Sequence, residues 1–426
     1  MPPKNSYSVL NLRKGSTEEQ VKQAYFDLVK RYPPETHTDR FMMLSRAYET
    51  LRDPEKRAKE DAFTFNYVEG QFSFSPEETS EEGSANLNEE IHALEESYEK
   101  DPSNVEVINN LITAYMQRSC QHVKRKLWAE AIKDWQSVLN YDATHRRAKN
   151  NLNHSYVNLG YYYALHDLYS EAIDLWERAL QMNPDNVAVI HNLALAYEYA
   201  GQDERAAKYW GEAIRRWKLA LDQTPDDVYL KSLIIEVHKH HGGRALDVQR
   251  DSESALQEYR EILKINPSDF DAHYQIAVTY IEEKKYDDAS KELDSLRQRF
   301  PNNVEVLNLL GWALLNSGHV EQGFRTWQRS LQLDSRNAET RNSIVQARMA
   351  LGKRCRDSGQ YTVALVHFKE LLKILPGSDD VLFEIGETYK LKGDIRSAMT
   401  QYNQALASNP KNKFARKALS DMKLKR

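Results

Sequence analysis

The 426-residue chain has few cysteines, few helix-breaking residues and no long apolar run. Its two cysteines, Cys120 and Cys355, stand far apart, which excludes a disulfide framework and predicts a reducing, cytoplasmic compartment. No stretch reaches the ~20 apolar residues that a membrane-spanning helix needs, so no transmembrane segment is expected. With only 16 glycines and 13 prolines, the composition favours a helix-rich protein.

An excess of charge of one sign is also lacking. The formal net charge is −5, so the chain as a whole has no electrostatic case for binding nucleic acid, and none is expected as a partner. Hydrophobic residues make up 41% of the chain, which is enough for it to fold. The length exceeds what one compact core supports, so we expect two or three domains or one elongated repeat structure.

A recurring helix pattern dominates residues 89–410. In one copy Ala172, Trp176 and Ala179 share one helix face, and Pro184 ends the helix. Such stops recur at intervals of 34 or 41–42 residues. The 34-residue period and this small–aromatic–small pattern resemble the tetratricopeptide repeat, a helix-turn-helix unit. The resemblance implies an all-α solenoid of about eight units, a right-handed superhelix whose first helices line a concave groove that binds a protein or peptide.

The longer intervals contain about seven extra residues, which is about two helical turns and keeps the buried helix face in register. We expect them to lengthen the first helix after Tyr115, after Tyr156 and near Arg348. In the third unit we expect a longer second helix near Trp217, and in the fourth a loop at residues 238–244.

Residues 1–67 read as a separate helical domain. A capped start at Thr17 precedes an amphipathic helix, a pair of prolines breaks it, and a second amphipathic helix follows. Three motifs stand out: Tyr7-Ser8-Val9-Leu10, Ala47-Tyr48-Glu49-Thr50-Leu51 and Asp53-Pro54-Glu55-Lys56-Arg57-Ala58. Together they resemble the J-domain of DnaJ-type co-chaperones, and we call residues 1–67 the J-like domain.

The tripeptide after the second helix of the J-domain family departs from the family pattern in this chain. In the family it is His-Pro-Asp, which is needed to stimulate ATP hydrolysis by a DnaK-type chaperone. Here the corresponding residues are Pro33, Pro34 and Glu35. Proline offers neither a ring nitrogen nor a side-chain hydrogen bond, so the resemblance implies a degenerate J-domain without this trigger.

Three basic residues, Lys22, Lys30 and Arg31, lie on the helix before this loop. In the family, basic residues at this place face an acidic chaperone surface, so the resemblance implies a DnaK-type chaperone as a candidate partner. The alternative is an ordinary solvated helix face.

Residues 68–88 form an acidic linker without Lys or Arg. Such composition predicts a flexible, extended spacer. An alternative is that the linker folds back onto Lys22, Lys30 and Arg31. At the other end, residues 411–426 are strongly basic and are expected to form the capping helix that a solenoid requires, with contact to anionic membrane or RNA as a minor alternative.

Asparagines recur on the predicted first helices. Asn110, Asn151 and Asn192 share one position, and Asn308 and Asn342 share the position before it. A side-chain amide both donates and accepts, so a row of them can hold a peptide backbone. The row resembles the asparagine ladder of some tetratricopeptide grooves; the alternative is that asparagine is merely common there. The large rings that recur on the second helices are interpreted as packing residues: Trp128, Trp135, Tyr169 and Trp176.

No motif for catalysis rises above background. His238, His240 and His241 lie close together, but no cysteine or carboxylate at metal-ligand spacing accompanies them. We therefore expect no enzyme, no metal and no cofactor. The leading hypothesis is a non-enzymatic adaptor with one partner in the groove and another at the J-like domain. The alternatives are a co-chaperone that delivers client proteins to a DnaK-type ATPase, and an enzyme subunit or assembly factor for a membrane complex.

Overall fold

The computed structural model describes residues 5–67, 72–79 and 87–424. Within these ranges every regular element is a helix, so the predicted all-α class is confirmed. The chain divides into two compact units, residues 1–240 and 241–426, which we call unit 1 and unit 2.

The J-like domain opens unit 1 with α1 (Ser6–Val9), α2 (Glu18–Arg31), α3 (Thr38–Arg52) and α4 (Pro54–Ala62). A capping box starts α2, because the side chain of Thr17 accepts from the amide of Gln20 and the side chain of Gln20 accepts from the amide of Thr17. Helices α2 and α3 pack as a hairpin over α1. Their buried apolar residues form one core: Tyr7, Val9, Leu10, Val21, Leu28, Leu44, Ala47 and Leu51.

Three packed helix pairs follow in unit 1. After α5 (Pro76–Thr79) and α6 (Leu87–Lys100) come α7 (Val105–Lys124) with α8 (Trp128–Tyr141), α9 (Arg146–Ala164) with α10 (Tyr169–Met182), and α11 (Val187–Tyr199) with α12 (Asp203–Gln223). The predicted extensions are confirmed. Helices α7, α9 and α12 have 20, 19 and 21 residues, whereas α10 and α11 have 14 and 13.

The loop predicted at residues 238–244 is wrong, because α13 (Val228–Arg244) covers it. The prediction took Gly242 and Gly243 for loop residues. In the helix, Gly242 instead admits the ring of Tyr259, since a Cβ there would lie 2.8 Å from that ring. A π-helical turn, Ala245–Gln249, then leads to α14 (Ser252–Ile265).

Unit 2 continues with four packed helix pairs and a terminal helix. The pairs are α15 (Phe270–Glu282) with α16 (Tyr286–Arg299), α17 (Val304–Asn316) with α18 (Val320–Leu333), α19 (Ala338–Asp357) with α20 (Tyr361–Ile374), and α21 (Asp379–Lys392) with α22 (Ile395–Ser408). Helix α19 has 20 residues, which confirms the extension near Arg348. The terminal helix α23 (Lys413–Leu424) packs on α22 through Ala415, Ala418 and Leu419, as expected of a cap.

Close packing within a pair depends on glycine in the first helix. A Cβ on Gly160 would lie 2.6 Å from Nε1 of Trp176, which is fully buried and donates to the carbonyl of Val157 at 3.1 Å. A Cβ on Gly311 would overlap the indole of Trp327 in the same way. The indole therefore occupies the space of the missing side chain.

The linker differs from the flexible spacer expected at residues 68–88. Residues 68–71 and 80–86 lie outside the described residues. Residues 72–79 contact the repeat helices of unit 1, and α5 packs on α7. The prediction failed here because the acidic average of the linker conceals two apolar anchors, Phe72 and Phe74.

Candidate functional site

A groove in unit 1 is lined by α9 and α11 and by aromatic rings from α8 and α10. Two of the predicted asparagines reach it because of their place on each helix. Asn151 lies six residues beyond the N-cap His145, and Asn192 lies six residues beyond the N-cap Asn186. Equal spacing from the cap puts both side chains on the same helix face, and both are fully buried.

The groove holds a stretch of the same chain, residues 63–67 and 72–79, which we call the groove segment. The side chain of Asn192 accepts from the amide of Asn66 at 2.6 Å and donates to its carbonyl at 2.9 Å. The side chain of Asn151 accepts from the amide of Ser73 and donates to its carbonyl, both at 2.9 Å. Each asparagine thus pairs with both main-chain groups of one residue, much as a neighbouring β-strand would.

His191 holds the start of the groove segment. Its Nε2 lies 2.8 Å from the carbonyl oxygen of Ala62, and its Nδ1 lies 2.5 Å from Nδ2 of Asn66. Because a carbonyl only accepts and an amide nitrogen only donates, the ring is neutral and carries its proton on Nε2. Burial, and secondly the nearby Lys14, hold the pKa of His191 well below 6.5, which agrees with a neutral ring.

Phe65 anchors the first half of the groove segment. Its side chain is buried, and its ring centroid lies 5.5 Å from Trp176, 5.8 Å from Tyr199 and 6.4 Å from Tyr169. Burial of a phenylalanine among rings supplies a large share of the contact energy of such a segment. Trp176 packs between the helices as interpreted, and Trp176 and Tyr169 in addition contact the groove segment through Phe65.

Phe72 and Phe74 anchor the second half. The ring of Phe72 stacks on Trp128 at 5.7 Å with an interplanar angle of 9°, and that of Phe74 lies 5.8 Å from Trp135. The intervening Ser73 is exposed, while both phenylalanines are half-buried. Trp135 is a packing residue as interpreted, and Trp128 and Trp135 have the further role of contacting the groove segment.

An ion pair closes this end of the groove. Oε2 of Glu78 lies 2.9 Å from Nη1 of Arg147 on α9, and the side chain of Glu78 is only 5% exposed. Glu78 also accepts from the amide of Ser75 at 2.7 Å, which fixes the turn before α5. It is the one acidic side chain of the linker that the structure describes, and its partner is not Lys22, Lys30 or Arg31.

The remaining predicted asparagines lie elsewhere. Asn110 occupies the same helix position as Asn151 but is exposed on α7. Asn308 and Asn342 lie five residues beyond their N-caps, and one residue turns a helix by ~100°. Accordingly Asn308 is buried among packing residues, where its carbonyl accepts from Trp327, and Asn342 is exposed. The groove segment therefore brings together Asn151 and Asn192 only, among the five.

A buried carboxylate joins the J-like domain to α13. Asp61 accepts from the hydroxyls of Tyr7 and Tyr229, each at 2.8 Å, and Nε of Arg57 lies 3.7 Å from it. Burial, and then the charge of Asp61, raise the pKa of both tyrosines, so both hydroxyls stay protonated as donors. The J-like domain is thus fixed to the repeats through a shared polar contact.

Lys14 reinforces this contact from within the J-like domain. Its buried ammonium donates to the carbonyl oxygens of Asp61 and Thr64, where α4 ends. Burial lowers the pKa of Lys14 to about 7, against the opposing effect of the nearby Asp61 charge. On the outside, Nζ of Lys59 lies 3.6 Å from Glu236 on α13.

The predicted chaperone-docking residues lie on the surface of α2. Lys22, Lys30 and Arg31 are all exposed, and Lys30 makes only a 3.8 Å exposed pair with Asp27, of a kind that is worth little. They remain accessible to an acidic partner.

The loop that replaces the family tripeptide is a compact turn. Pro33 and Pro34 are half-buried and Glu35 is exposed. The carbonyl of Pro33 accepts from the amide of His37 at 2.9 Å, and the His37 ring packs edge-on against Tyr32. His37 thus serves the turn.

Sequence reasoning missed contact residues of both the groove and its occupant, among them Phe65, Phe72, Phe74, His191 and Arg147. A signal was available for the phenylalanines. Phe72-Ser73-Phe74 alternates apolar and polar residues inside an acidic stretch, the pattern of an extended segment with one buried face. For His191 and Arg147 the sequence offers no comparable signal, because single residues on a helix reveal a ligand only once the ligand is placed.

Comparison with known proteins agrees with this architecture. Residues 5–61 match the DnaJ domain, and residues 187–227, 249–313 and 356–420 match tetratricopeptide repeats. The chain is 37% identical over 73 residues to the chaperone protein DnaJ of Carboxydothermus hydrogenoformans, covering 16% of this chain and 19% of that protein. It is 39% identical over 69 residues to that of Dictyoglomus thermophilum, covering 15% and 18%. The chain thus spans about a fifth of the length of these relatives.

Solved structures with similar repeats include the MamA protein and YrrB, the latter described as a tetratricopeptide protein with an unusual peptide-binding site. MamA shares 21% identity and a TM-score of 0.32, covering 42% of this chain and 93% of its own. YrrB shares 20% identity and a TM-score of 0.31, covering 47% and 96%. Likeness at this level has no bearing on function.

The chain therefore is a protein with a DnaJ domain at residues 5–61 followed by tetratricopeptide repeats. Tetratricopeptide repeats and DnaJ domains are modules of protein–protein interaction. In the part of the chain that the structure describes, no helix is long and apolar enough to cross a membrane.

Proposed function

We propose that this protein is a non-enzymatic adaptor that binds an extended stretch of another protein in the groove of unit 1 and a second protein at its J-like domain. The observation that carries the proposal is the paired hydrogen bonding of Asn151 and Asn192 to the main chain of an extended segment. Main-chain recognition holds a peptide whatever its side chains, and the rings beside each asparagine add selection. A cytoplasmic location fits Cys120 and Cys355, which are free thiols.

The second partner in this proposal is a DnaK-type chaperone, which docks on the J-like domain without being triggered. The support for docking is the exposed basic face of Lys22, Lys30 and Arg31 on α2. The support for a missing trigger is the turn at Pro33, which places no imidazole or aspartate where the family has them. Holding two proteins on one chain raises their effective concentration for each other.

Single-turnover ATP hydrolysis by a DnaK-type chaperone tests this half of the proposal. The full chain is used, because Asp61 of the J-like domain is buried against α13. We expect no stimulation by the wild-type protein and measurable binding to the chaperone. Reversing Lys22, Lys30 and Arg31 to Glu should weaken that binding at least tenfold. A matched triple reversal of exposed basic residues on α23 should not: Lys413, Arg416 and Lys417.

The DnaJ domain match favours one alternative function, a working co-chaperone that delivers client proteins to a DnaK-type ATPase. Stimulation of hydrolysis comparable to that of a His-Pro-Asp domain would establish it and contradict the adaptor. The pair Pro33→His, Glu35→Asp separates two reasons for inactivity. A gain of stimulation means that only the trigger is missing, and no gain means that docking is absent as well.

Affinity purification from the source cells tests the part of the proposal that concerns binding in the groove. We expect proteins that are recovered with the wild-type chain and with the control Asn110→Ala, and that are lost with Asn151→Ala, Asn192→Ala. Recovery that does not depend on Asn151 and Asn192 would contradict binding in this groove.

A further inference from the structure

We propose that the groove of unit 1 recognises one class of partner segment. This segment is extended, has two aromatic residues separated by one other residue, and has an acidic residue four positions after the second aromatic residue. Residues 72–78 are an internal copy of that ligand, and a partner binds by displacing them. This inference rests on the proposed function and adds to it the class of ligand and its competitor.

Each element of the internal copy meets a separate receptor on the repeats. The Phe72 ring stacks on Trp128, and the Phe74 ring faces Trp135. The main chain of Ser73, between the two rings, hydrogen-bonds to the side chain of Asn151, and Glu78 forms an ion pair with Arg147 at the end of the groove. The groove therefore presents two aromatic rings, one amide and one guanidinium in a row. This row of side chains is complementary to a segment with the pattern aromatic–x–aromatic followed by a carboxylate.

The groove is formed by helix contacts that do not involve its occupant. Trp135 donates to the hydroxyl of Ser155 at 3.1 Å, which sets its position within the helix pairs. Helices α7 to α10 pack directly against one another. By contrast Phe72 and Phe74 are half-buried and Ser73 is exposed. The occupant therefore lies on a preformed surface, as a ligand does.

The internal copy competes through its tether. A segment joined to its own groove by a short chain has an effective concentration of about millimolar. A free ligand binds only the fraction of molecules whose groove is open, so its apparent affinity falls by that fraction. Weakening the internal copy must then strengthen binding of a ligand of the same chemistry added in solution.

Fluorescence anisotropy with a labelled peptide tests this. The probe is Phe-Ser-Phe-Ser-Pro-Glu-Glu-Thr, the sequence of residues 72–79. The full chain is compared as wild type and as Phe72→Ala, Phe74→Ala. Ser73→Pro is a second opened variant, because proline lacks the amide hydrogen that Ser73 donates to Asn151, and Ser73→Ala is its control, which keeps that amide. Far-UV circular dichroism and the melting temperature establish that each variant is folded.

We expect both opened variants to bind the probe at least tenfold more tightly than the wild type and Ser73→Ala. Adding Asn151→Ala to an opened variant should weaken binding about 5- to 150-fold, because the two hydrogen bonds to the main chain of the probe are lost. A probe with both phenylalanines replaced by alanine should not bind, and one with glutamine at the place of Glu78 should bind several-fold more weakly.

Equal binding of the probe by wild type and opened variants would overturn the inference, and so would binding that is undiminished by Asn151→Ala. Failure of this inference about the ligand class can be distinguished from failure of the proposed adaptor function. If partner recovery from cells still depends on Asn151 and Asn192 while the probe fails, the groove binds a different class of ligand and the adaptor stands. If both fail, the groove is not a binding site.

Discussion

Replacing Asn151 by alanine should release the second half of the groove segment. The substitution removes two hydrogen bonds to Ser73, each at 2.9 Å, and leaves the phenylalanine contacts in place. A hydrogen bond of this kind is worth about 0.5–1.5 kcal/mol net, so the pair contributes about 1–3 kcal/mol to docking.

A loss of about 1–3 kcal/mol multiplies the open population of the segment about 5- to 150-fold. Hydrogen exchange measured by mass spectrometry on fragments covering residues 72–75 reports that population directly, since the Ser73 amide exchanges only when open. Asn110→Ala, at the same helix position but without contact to the segment, is the control. Unchanged exchange at Ser73 in Asn151→Ala would refute the assignment of docking energy to these bonds.

Two further predictions concern stability. Gly160→Ala should destabilise the protein by about 1–3 kcal/mol in urea, because its Cβ would lie 2.6 Å from the Trp176 indole, whereas Gly211→Ala, with no atom within 4 Å, should stabilise it by about 0.5–1 kcal/mol. The pKa of His191 lies below 6.5 while Asn66 is docked, so the docked form binds fewer protons and loses stability as pH falls through 6.5. The melting temperature should therefore fall more between pH 7.5 and pH 5.5 in the wild type than in His191→Gln.

Periodicity predicted the repeat helices because every copy of the pattern is enforced by the same packing. The extra turns in α7, α9, α12 and α19 were readable from interval length alone, since about two turns leave the buried face unchanged. The position of Asn151 and Asn192 on the groove face was readable as well. It follows from a fixed distance to the helix cap, which is why Asn308, one residue nearer its cap, belongs to the packing instead.

The occupant of the groove was not predicted, and the reason is physical. Average charge describes how a chain interacts with solvent, but docking depends on a few side chains that find partners on a distant surface. Phe65, Phe72 and Phe74 are such side chains, and their partners lie more than 50 residues away in sequence. The fold of the repeats had to be known before those rings could be matched.

The buried Asp61 has a consequence for how binding at the groove and binding at the J-like domain affect each other. The groove segment begins two residues after this carboxylate, and Phe63 beside it lies 4.7 Å from the ring of His240 on α13. We therefore expect release of residues 63–67 from the groove to disturb the contacts that hold the J-like domain on α13. By thermodynamic reciprocity, a ligand at either place that favours the undocked chain raises the affinity at the other by the same factor. The groove segment thus couples the two binding equilibria, and its sequence sets the strength of that coupling.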